Sequence, residues 1–148
     1  MTDRSFIDTN VWVYAVDRSD IAKQNAALGV LQPTHDTDVV ISAQVLGEFY
    51  NVVTRKFARV VATADARAMV DQMVRLPVVP IDARLVEAAI IGSERWQLSY
   101  WDALIIAAAE TSGCQRVLSE DMAHGAVYGS VEVANPFRVD DQPPLSGG

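Results

Sequence analysis

Four acidic residues, far apart in the chain, are candidates for one reaction centre: Asp8, Glu48, Asp102 and Asp121. Carboxylates that share a pocket repel one another and raise one another's pKa values unless a cation neutralises them. Mg²⁺ and Mn²⁺ prefer oxygen ligands of this kind, and a bound divalent ion lowers the pKa of water enough to promote hydrolysis. If the fold gathers the four residues, they predict a site that binds Mg²⁺ or Mn²⁺.

The first two acids also have simpler structural explanations. Asp8 directly follows a short apolar strand, and an Asp at this point is a preferred N-cap for the next helix. Glu48 lies between Val45 and Val52, on or beside the inward stripe of a predicted helix. Glu is rarely buried without a partner or a cation, but its stem can also lie along apolar surface with the carboxylate in water. Taken singly, either acid leaves both explanations open.

The other two acids stand at the boundaries of predicted elements. Asp102 begins the apolar stripe of its helix, and Ser99-x-x-Asp102 also fits a capping box, which requires no function. Asp121 follows a predicted strand, at the sheet edge where Asp8 is also expected, although an ordinary polar turn fits equally. Its neighbour Glu120 is a competing candidate, and we favour Asp121.

Other catalytic chemistries have less support in the sequence. His35 falls in a predicted loop and His124 follows the last acid, so neither suggests a zinc site. No Ser–His or Cys–His arrangement suggests a side-chain nucleophile. Cys114 is the single cysteine, which excludes an internal disulfide and favours a small buried residue in a reducing compartment.

Alternating strands and helices must position these acids. Short β-branched runs predict strands at residues 6–7, 39–41, 78–79, 116–118 and 131–133. Helical spacing and capping residues predict helices at 11–16, 21–31, 43–57, 62–76, 83–96 and 100–112. This alternation predicts a three-layer α/β/α sandwich with a mostly parallel central sheet, in which the first strand is central. The carboxyl ends of its strands would bring Asp8 and Asp121 to one edge.

Composition limits the classes of function. The chain has 148 residues, half of them apolar, which suits one domain with a proper core. The net charge of −7 argues against a broad basic nucleic-acid surface, but not against an enzyme that reaches phosphates through bound cations. We see no leader segment and no apolar run of membrane-spanning length, so a soluble cytoplasmic protein is expected.

Five sequence blocks together resemble a known family. They are FIDTN at 6–10, SAQVLGEF at 42–49, LSYWDALI at 98–105, LSEDM at 118–122 and VANPF at 133–137. The first four, in this order, resemble the PIN domain, and most closely the VapC toxins of bacterial type II toxin–antitoxin pairs. The fifth is similar to the ends of that branch. The resemblance implies a PIN-like nuclease domain over residues 1–139. The composition of the last residues, rich in Asp, Pro and Gly, predicts a disordered tail at 140–148.

The resemblance also implies an activity and a set of site residues. It implies an endoribonuclease that requires Mg²⁺ or Mn²⁺, acts on RNA phosphodiester bonds, forms homodimers and is inhibited by a cognate VapB-type antitoxin. The catalytic and metal-binding positions of the family match Asp8, Glu48, Asp102 and Asp121. Thr9, Asn10 and Ser119 match positions that support the acids or the substrate.

Basic and aromatic residues are further candidates for RNA contacts. The basic ones, which could contact the RNA backbone or form a solvated helix face, are Arg18, Arg55, Lys56 and Arg59. The aromatic ones, which could stack on bases or pack in the core or a dimer interface, are Trp12, Trp96, Tyr100 and Trp101.

Three other functions stay open at this point. A phosphatase of the Asp-x-Asp type would have a second Asp where Asn10 stands. A non-catalytic module could use the acidic pocket to dock a basic peptide. A PIN nuclease could also act in RNA maturation or on DNA rather than as a toxin.

Overall fold

The computed structural model describes residues 3–32 and 37–138. The strands in these ranges are β1 (Asp3–Ile7), β2 (Thr37–Ser42), β3 (Val78–Val79), β4 (Arg116–Leu118), β5 (Val127–Tyr128) and β6 (Val131–Ala134). The helices are α1 (Thr9–Val16), α2 (Ile21–Leu31), α3 (Ala43–Lys56), α4 (Thr63–Met73), α5 (Ala83–Trp96) and α6 (Tyr100–Thr111).

The strands form one sheet in the order β3-β2-β1-β4-β6-β5. All neighbouring pairs are parallel except β5 and β6, which are antiparallel. The predicted mostly parallel α/β architecture is therefore confirmed, with the first strand inside the sheet. The sequence analysis missed β5, whose two residues lie between Gly125 and Gly129 in a stretch with the composition of a turn.

Both faces of the sheet are covered, as successive residues of the central strands show. Phe6 and its neighbours Val40 and Val117 belong to the larger core, which includes residues of α3, α4, α5 and α6. Ile7 and its neighbour Leu118 belong to a smaller core on the opposite face, together with residues of α1 and α2. Side chains alternate across a strand, so this division gives the three predicted layers.

Side-chain caps fix where the site-bearing helices begin. Ser42 Oγ accepts a hydrogen bond from the N–H of Val45 at the start of α3, and Ser99 Oγ does the same from Asp102 at the start of α6. Gly113, with φ +77°, follows the end of α6 in a left-handed conformation that glycine adopts without strain. The predicted helix bounds agree closely, although α4 is shorter than the predicted 62–76.

Some expectations fall outside the described residues. His35, the domain boundary at 139 and the tail at 140–148 are among them, so the domain limits stay a prediction. Within ranges 3–32 and 37–138, no helix has the length and apolar character needed to cross a bilayer.

Candidate functional site

The first acid lies at the carboxyl end of the central strand. Ile7 of β1 is in register with Leu118 of β4, and the N–H of Asp8 extends the ladder by donating to Leu118 O at 3.0 Å. Asp8 and Ser119 therefore leave adjacent parallel strands side by side. Asp8 is only 5% exposed and Ser119 is fully buried, so the site begins inside the protein.

The Asp8 carboxylate is both a helix cap and a member of the site. Its Oδ1 accepts from the N–H of Thr9 at 2.7 Å, and Asp8 is the N-cap of α1. Its Oδ2 accepts from Ser119 Oγ at 2.8 Å and from Asn10 Nδ2 at 3.4 Å. The simpler explanation from the sequence was thus correct, and it is compatible with a functional role.

Burial raises the pKa of Asp8 to about 6. The hydrogen bonds from Ser119 and Thr9 act in the opposite direction, and the nearby negative charges of Asp121 and Glu48 raise it further. A buried carboxyl group with an elevated pKa, next to other acids, is a candidate functional group whose charged form a bound cation would stabilise.

Two residues hold the Glu48 carboxylate from opposite sides. Thr9 Oγ1 donates to Glu48 Oε2 at 2.8 Å, and Gln44 Nε2 donates to Glu48 Oε1 at 2.8 Å. The sequence analysis missed Gln44, although its position one helical turn before Glu48 is a detectable signal. In the part of the chain that the structure describes, Gln44 Oε1 is buried without a hydrogen-bond partner.

Asp102 takes part in the helix cap and in the electrostatics of the site. Its N–H donates to Ser99 Oγ at 3.1 Å, as expected of a cap. Partial burial raises the pKa of its carboxyl group, and the charges of Asp121 and Glu48 add to the effect, whereas a hydrogen bond with Ser99 opposes it. Asp102 therefore lies in the same electrostatic field as the other acids.

Asn10 connects Asp121 to the first acid. Asn10 Nδ2 donates to Asp121 Oδ2 at 3.1 Å, and Asn10 Oδ1 accepts from the N–H of Glu120 at 3.2 Å. The N–H of Asp121 donates to Ser119 Oγ at 3.1 Å, and this hydroxyl in turn donates to Asp8. The small polar residues that follow the two strands thus hold the two acids in one network.

Glu120 has different partners from its neighbour Asp121. Its carboxylate accepts hydrogen bonds from Lys23 Nζ at 2.7 Å and from Tyr14 Oη at 3.0 Å. The hydrogen bonds that the Lys23 ammonium group makes with Glu120 and Tyr14 hold the pKa of Lys23 well above its usual range. Sequence analysis missed Tyr14 and Lys23, since no local pattern connects them to a residue about 100 positions away.

A cavity of about 270 Å³ is lined by two of the four candidate acids, Glu48 and Asp121, whereas Asp8 and Asp102 are not among its lining residues. Thr9 also lines it, and Lys56 brings a positive charge to its wall. The other basic candidates, which are exposed without lining this cavity, are Arg18, Arg55 and Arg59. An acidic cavity with a cation at its wall can bind a divalent metal ion and a phosphate together.

The aromatic candidates divide by burial. Trp12, Trp96 and Tyr100 pack against the core, and Trp12 Nε1 also donates to Ile7 O at 3.2 Å. Trp101 is 61% exposed at the start of α6, next to Asp102. Trp101 is therefore the candidate whose ring is available for stacking.

The donor set fits a hard divalent cation in its chemistry. The carboxylates supply oxygen ligands, and a cation would stabilise the charged forms that burial, and to a smaller extent repulsion, disfavours at Asp8 and Asp102 by raising their pKa values. His124 Nδ1 instead accepts from the N–H of Asn135 at 3.0 Å. Among the described residues, however, no three His, Cys, Asp or Glu side chains are close enough to hold a metal ion as they stand.

Similar structures were found among solved proteins. VapC20 of Mycobacterium tuberculosis, a toxin that cleaves the sarcin–ricin loop, is 23% identical, with a TM-score of 0.59 over 79% of this chain and 91% of that chain. A toxin–antitoxin complex from Klebsiella pneumoniae is 17% identical, with a TM-score of 0.64 over 89% and 97%. VapBC2 of Rickettsia felis, bound to promoter DNA, is 17% identical, with a TM-score of 0.63 over 89% and 98%. These likenesses confirm the fold.

The sequence itself matches a family profile. No sequence among the curated proteins matches the chain. The profile of the PIN domain matches residues 5–129, which is most of the chain and includes all four acids. PIN domains are nucleases that generally use divalent metal ions. The predicted resemblance is confirmed: the chain belongs to the PIN domain family and, with it, to the nucleases.

Proposed function

We propose that the chain is a Mg²⁺- or Mn²⁺-dependent endoribonuclease and the toxin of a VapBC-type toxin–antitoxin module. One observation carries the proposal: a single hydrogen-bond network through Thr9, Asn10 and Ser119 joins three of the acids, Asp8, Glu48 and Asp121. The negative charges of Glu48 and Asp121 also act on Asp102. Four carboxyl groups from separate parts of the chain thus share one field at the carboxyl edge of the sheet. Four neighbouring carboxylates repel one another, which costs electrostatic free energy, and a divalent cation that binds between them removes this cost.

The acids Asp8, Glu48, Asp102 and Asp121 are the groups that would hold the metal. When bound, Mg²⁺ or Mn²⁺ neutralises these carboxylates and acidifies the water that hydrolyses the phosphodiester. The residues around the acids keep them in place before any ion binds. Thr9 and Gln44 fix both oxygens of Glu48. Ser119 and Asn10 hold Asp8 and Asp121, the two acids that lie beyond the ends of β1 and β4.

Lys56 is the residue we assign to the RNA backbone at this cavity. Its side chain lines the wall that also carries Glu48 and Asp121, and its ammonium group lies 5.7 Å from the centroid of the Phe57 ring. A rotation of this long side chain would bring the ammonium group to a phosphate held beside the acids. Basic side chains bind phosphates without identifying bases. Trp101, which is exposed next to Asp102, can add a stacking surface for one base of single-stranded RNA.

The partner we propose is a cognate VapB-type antitoxin, with the toxin acting as a homodimer in the cytoplasm. Support comes from the structural relatives, which include complexes of toxins with antitoxins. An antitoxin segment that presents a basic side chain would complement the acidic cavity and exclude both metal and substrate.

RNA cleavage by the purified chain tests this function. The chain should cleave single-stranded RNA when Mg²⁺ or Mn²⁺ is added, and EDTA should stop the reaction. Asp8→Asn and Asp102→Asn should lose most of this activity, whereas Glu87→Gln, an exposed acid of α5, should retain it. Unchanged cleavage by a folded Asp8→Asn variant contradicts the assignment. Cleavage of single-stranded DNA in place of RNA would indicate a different PIN nuclease.

Expression in bacteria tests the toxin role separately. The chain alone should arrest growth, Asp8→Asn should not, and co-expression of the antitoxin encoded beside it should restore growth. Cleavage in vitro without growth arrest would favour a PIN nuclease of RNA maturation.

One observation favours a second candidate, a non-catalytic docking pocket for a basic peptide. No three potential ligands among the described residues are arranged as a metal site in the absence of an ion. A docking pocket needs only negative charge, so it would bind an arginine-rich peptide with no metal requirement.

A further inference from the structure

Lys23, Tyr14 and Glu120 form a closed triangle of hydrogen bonds beside the acidic cavity. Lys23 Nζ donates to Glu120 Oε2 at 2.7 Å and to Tyr14 Oη at 3.1 Å, and Tyr14 Oη donates to Glu120 Oε1 at 3.0 Å. The Lys23 ammonium also lies 4.6 Å from the centroid of the Tyr14 ring and 5.6 Å from that of Phe137. The proposed reaction uses none of these groups, although they join α1 and α2 to the loop after β4.

The loop at residues 119–121 is fixed in two directions. Ser119 Oγ donates to Asp8, and the carboxylate of Asp121 accepts from Asn10 Nδ2. Glu120, between them, directs its carboxylate to the triangle while its N–H donates to Asn10 Oδ1 at 3.2 Å. The backbone that carries Asp121 is therefore held on one side by Asn10 and on the other by the Glu120 side chain.

We infer that Lys23 is a positioning residue that acts through Glu120 to fix the direction of the Asp121 carboxylate. This inference rests on the proposed function, which assigns Asp121 to the metal-binding acids. By pairing with Glu120, Lys23 also determines which of two adjacent acids remains available to a cation. The chain of contacts runs from the Lys23 ammonium to the Glu120 carboxylate and then through one peptide to Asp121.

The burial and connectivity of the pair distinguish it from ordinary surface ion pairs. Exposed pairs contribute little, because water and salt screen them and their side chains lose entropy. The Lys23 and Glu120 side chains are 34% and 28% exposed, and the Tyr14 hydroxyl bonds to both. The Arg116–Asp3 pair, at 3.6 Å with side chains 47% and 58% exposed, is more exposed and serves as the control ion pair.

The first experiment measures the loop without any metal. Amide hydrogen exchange in the metal-free protein reports on the N–H groups of Glu120 and Asp121, which donate to Asn10 Oδ1 and Ser119 Oγ. Lys23→Met and Glu120→Gln should each accelerate exchange at these two amides. Arg116→Met, which breaks the exposed control pair, should leave them unchanged.

The second experiment measures metal binding and kinetics on the same variants. Lys23→Met should weaken Mn²⁺ binding in calorimetry about 10-fold or more, which is the usual effect of removing a residue that orients a metal ligand. It should lower kcat for RNA with little change in KM. The double variant of Lys23→Met and Glu120→Gln should be no worse than either single variant, because both break the same contact. Lys23→Arg, which keeps the charge, should recover part of the affinity.

The outcomes separate this inference from the proposed function. Normal exchange and normal Mn²⁺ affinity in folded Lys23→Met, or additive losses in the double variant, overturn the inference while the nuclease stands. If the unaltered chain neither binds Mn²⁺ nor cleaves RNA, the proposed function fails. The role of Lys23 toward a metal-binding Asp121 then fails with it, even where exchange at the loop is accelerated.

Discussion

The hydroxyl of Thr9 donates a hydrogen bond to Glu48 Oε2 across 2.8 Å, which joins the end of the central strand to the second turn of α3. Thr9 directly follows Asp8, and its own N–H donates to the Asp8 carboxylate at 2.7 Å. One residue thus contacts two acids that are 40 positions apart in the sequence. The relative position of these acids depends on Thr9 before any cation binds.

Replacing Thr9 with valine removes this hydroxyl and preserves the shape of the side chain. We expect Thr9→Val to lower metal-dependent RNA cleavage about 10-fold or more, because Glu48 loses one of the two groups that orient it. Steady-state cleavage at saturating Mn²⁺ measures the effect. Thr54→Val is the matched control, since the Thr54 hydroxyl donates to Tyr50 O within α3. Equal activity in both variants contradicts the role given to Thr9.

Removing the Gln44 amide tests the other side of Glu48. We expect Gln44→Leu to weaken Mn²⁺ binding about 10-fold, because Glu48 Oε1 loses its donor at 2.8 Å. The folded protein should lose little stability, since the buried Gln44 Oε1 has no partner among the described residues. Calorimetric titration with Mn²⁺ and the thermal midpoint Tm measure the two effects. A large fall in Tm with unchanged affinity indicates a packing role.

The pKa of Asp8 leads to an expected dependence of stability on pH. An Asp with an ordinary pKa of 3.8 and a folded-state value of about 6 binds its proton more tightly when the protein is folded. The stability that this tighter proton binding adds to the folded protein is fully present below pH 3.8 and is lost as the pH rises through 6. The free energy of unfolding therefore differs by about 3 kcal/mol at most between the two limits. Asp8→Asn carries no charge at this position.

Asp8→Asn should therefore be more stable than the unaltered chain at pH 8 in EDTA, by up to about 3 kcal/mol. The difference should shrink toward pH 4, where Asp8 is protonated in the folded state. Urea unfolding at the two pH values measures it. A variant that is less stable at pH 8, or whose advantage does not change with pH, shows that the Asp8 carboxylate is not destabilised by its surroundings.

Salt dependence tests the contact between Lys56 and the RNA backbone. We expect Lys56→Gln to reduce the slope of log Kd against log salt by about 0.7 for single-stranded RNA, the value for one lost phosphate contact. Arg67→Gln, an exposed position on α4, is the control and should leave the slope unchanged. Binding is measured with Asp8→Asn as background to prevent cleavage. Equal slopes for all variants exclude Lys56 as a phosphate contact.

Local sequence patterns were sufficient for the architecture and for the candidate acids. The strand that precedes Asp8 and the Ser99 cap before Asp102 both follow from short-range rules, and both are present in the structure. For Asp8 and Asp102 the sequence allowed two explanations, a helix cap or a member of a functional site. The structure shows the caps, and the same carboxyl groups lie in a shared acidic field.

What the sequence could not provide were contacts between distant segments. Glu120 and Asp121 are adjacent acids with similar local surroundings, and only the fold brings Lys23 to one and Asn10 to the other. Tyr14 has no sequence pattern that connects it to Glu120, since the two meet only when α1 packs beside the end of β4. Such pairs depend on tertiary packing rather than on periodicity.

Calorimetric titration of Mn²⁺ into the metal-free chain tests most directly whether the four acids form one cation-binding centre. We expect saturable binding to the unaltered chain and to Glu87→Gln, and its loss in Asp8→Asn. No binding to the unaltered chain, alone or with RNA present, or equal affinity in Asp8→Asn, contradicts the metal centre and favours a pocket that docks a basic peptide.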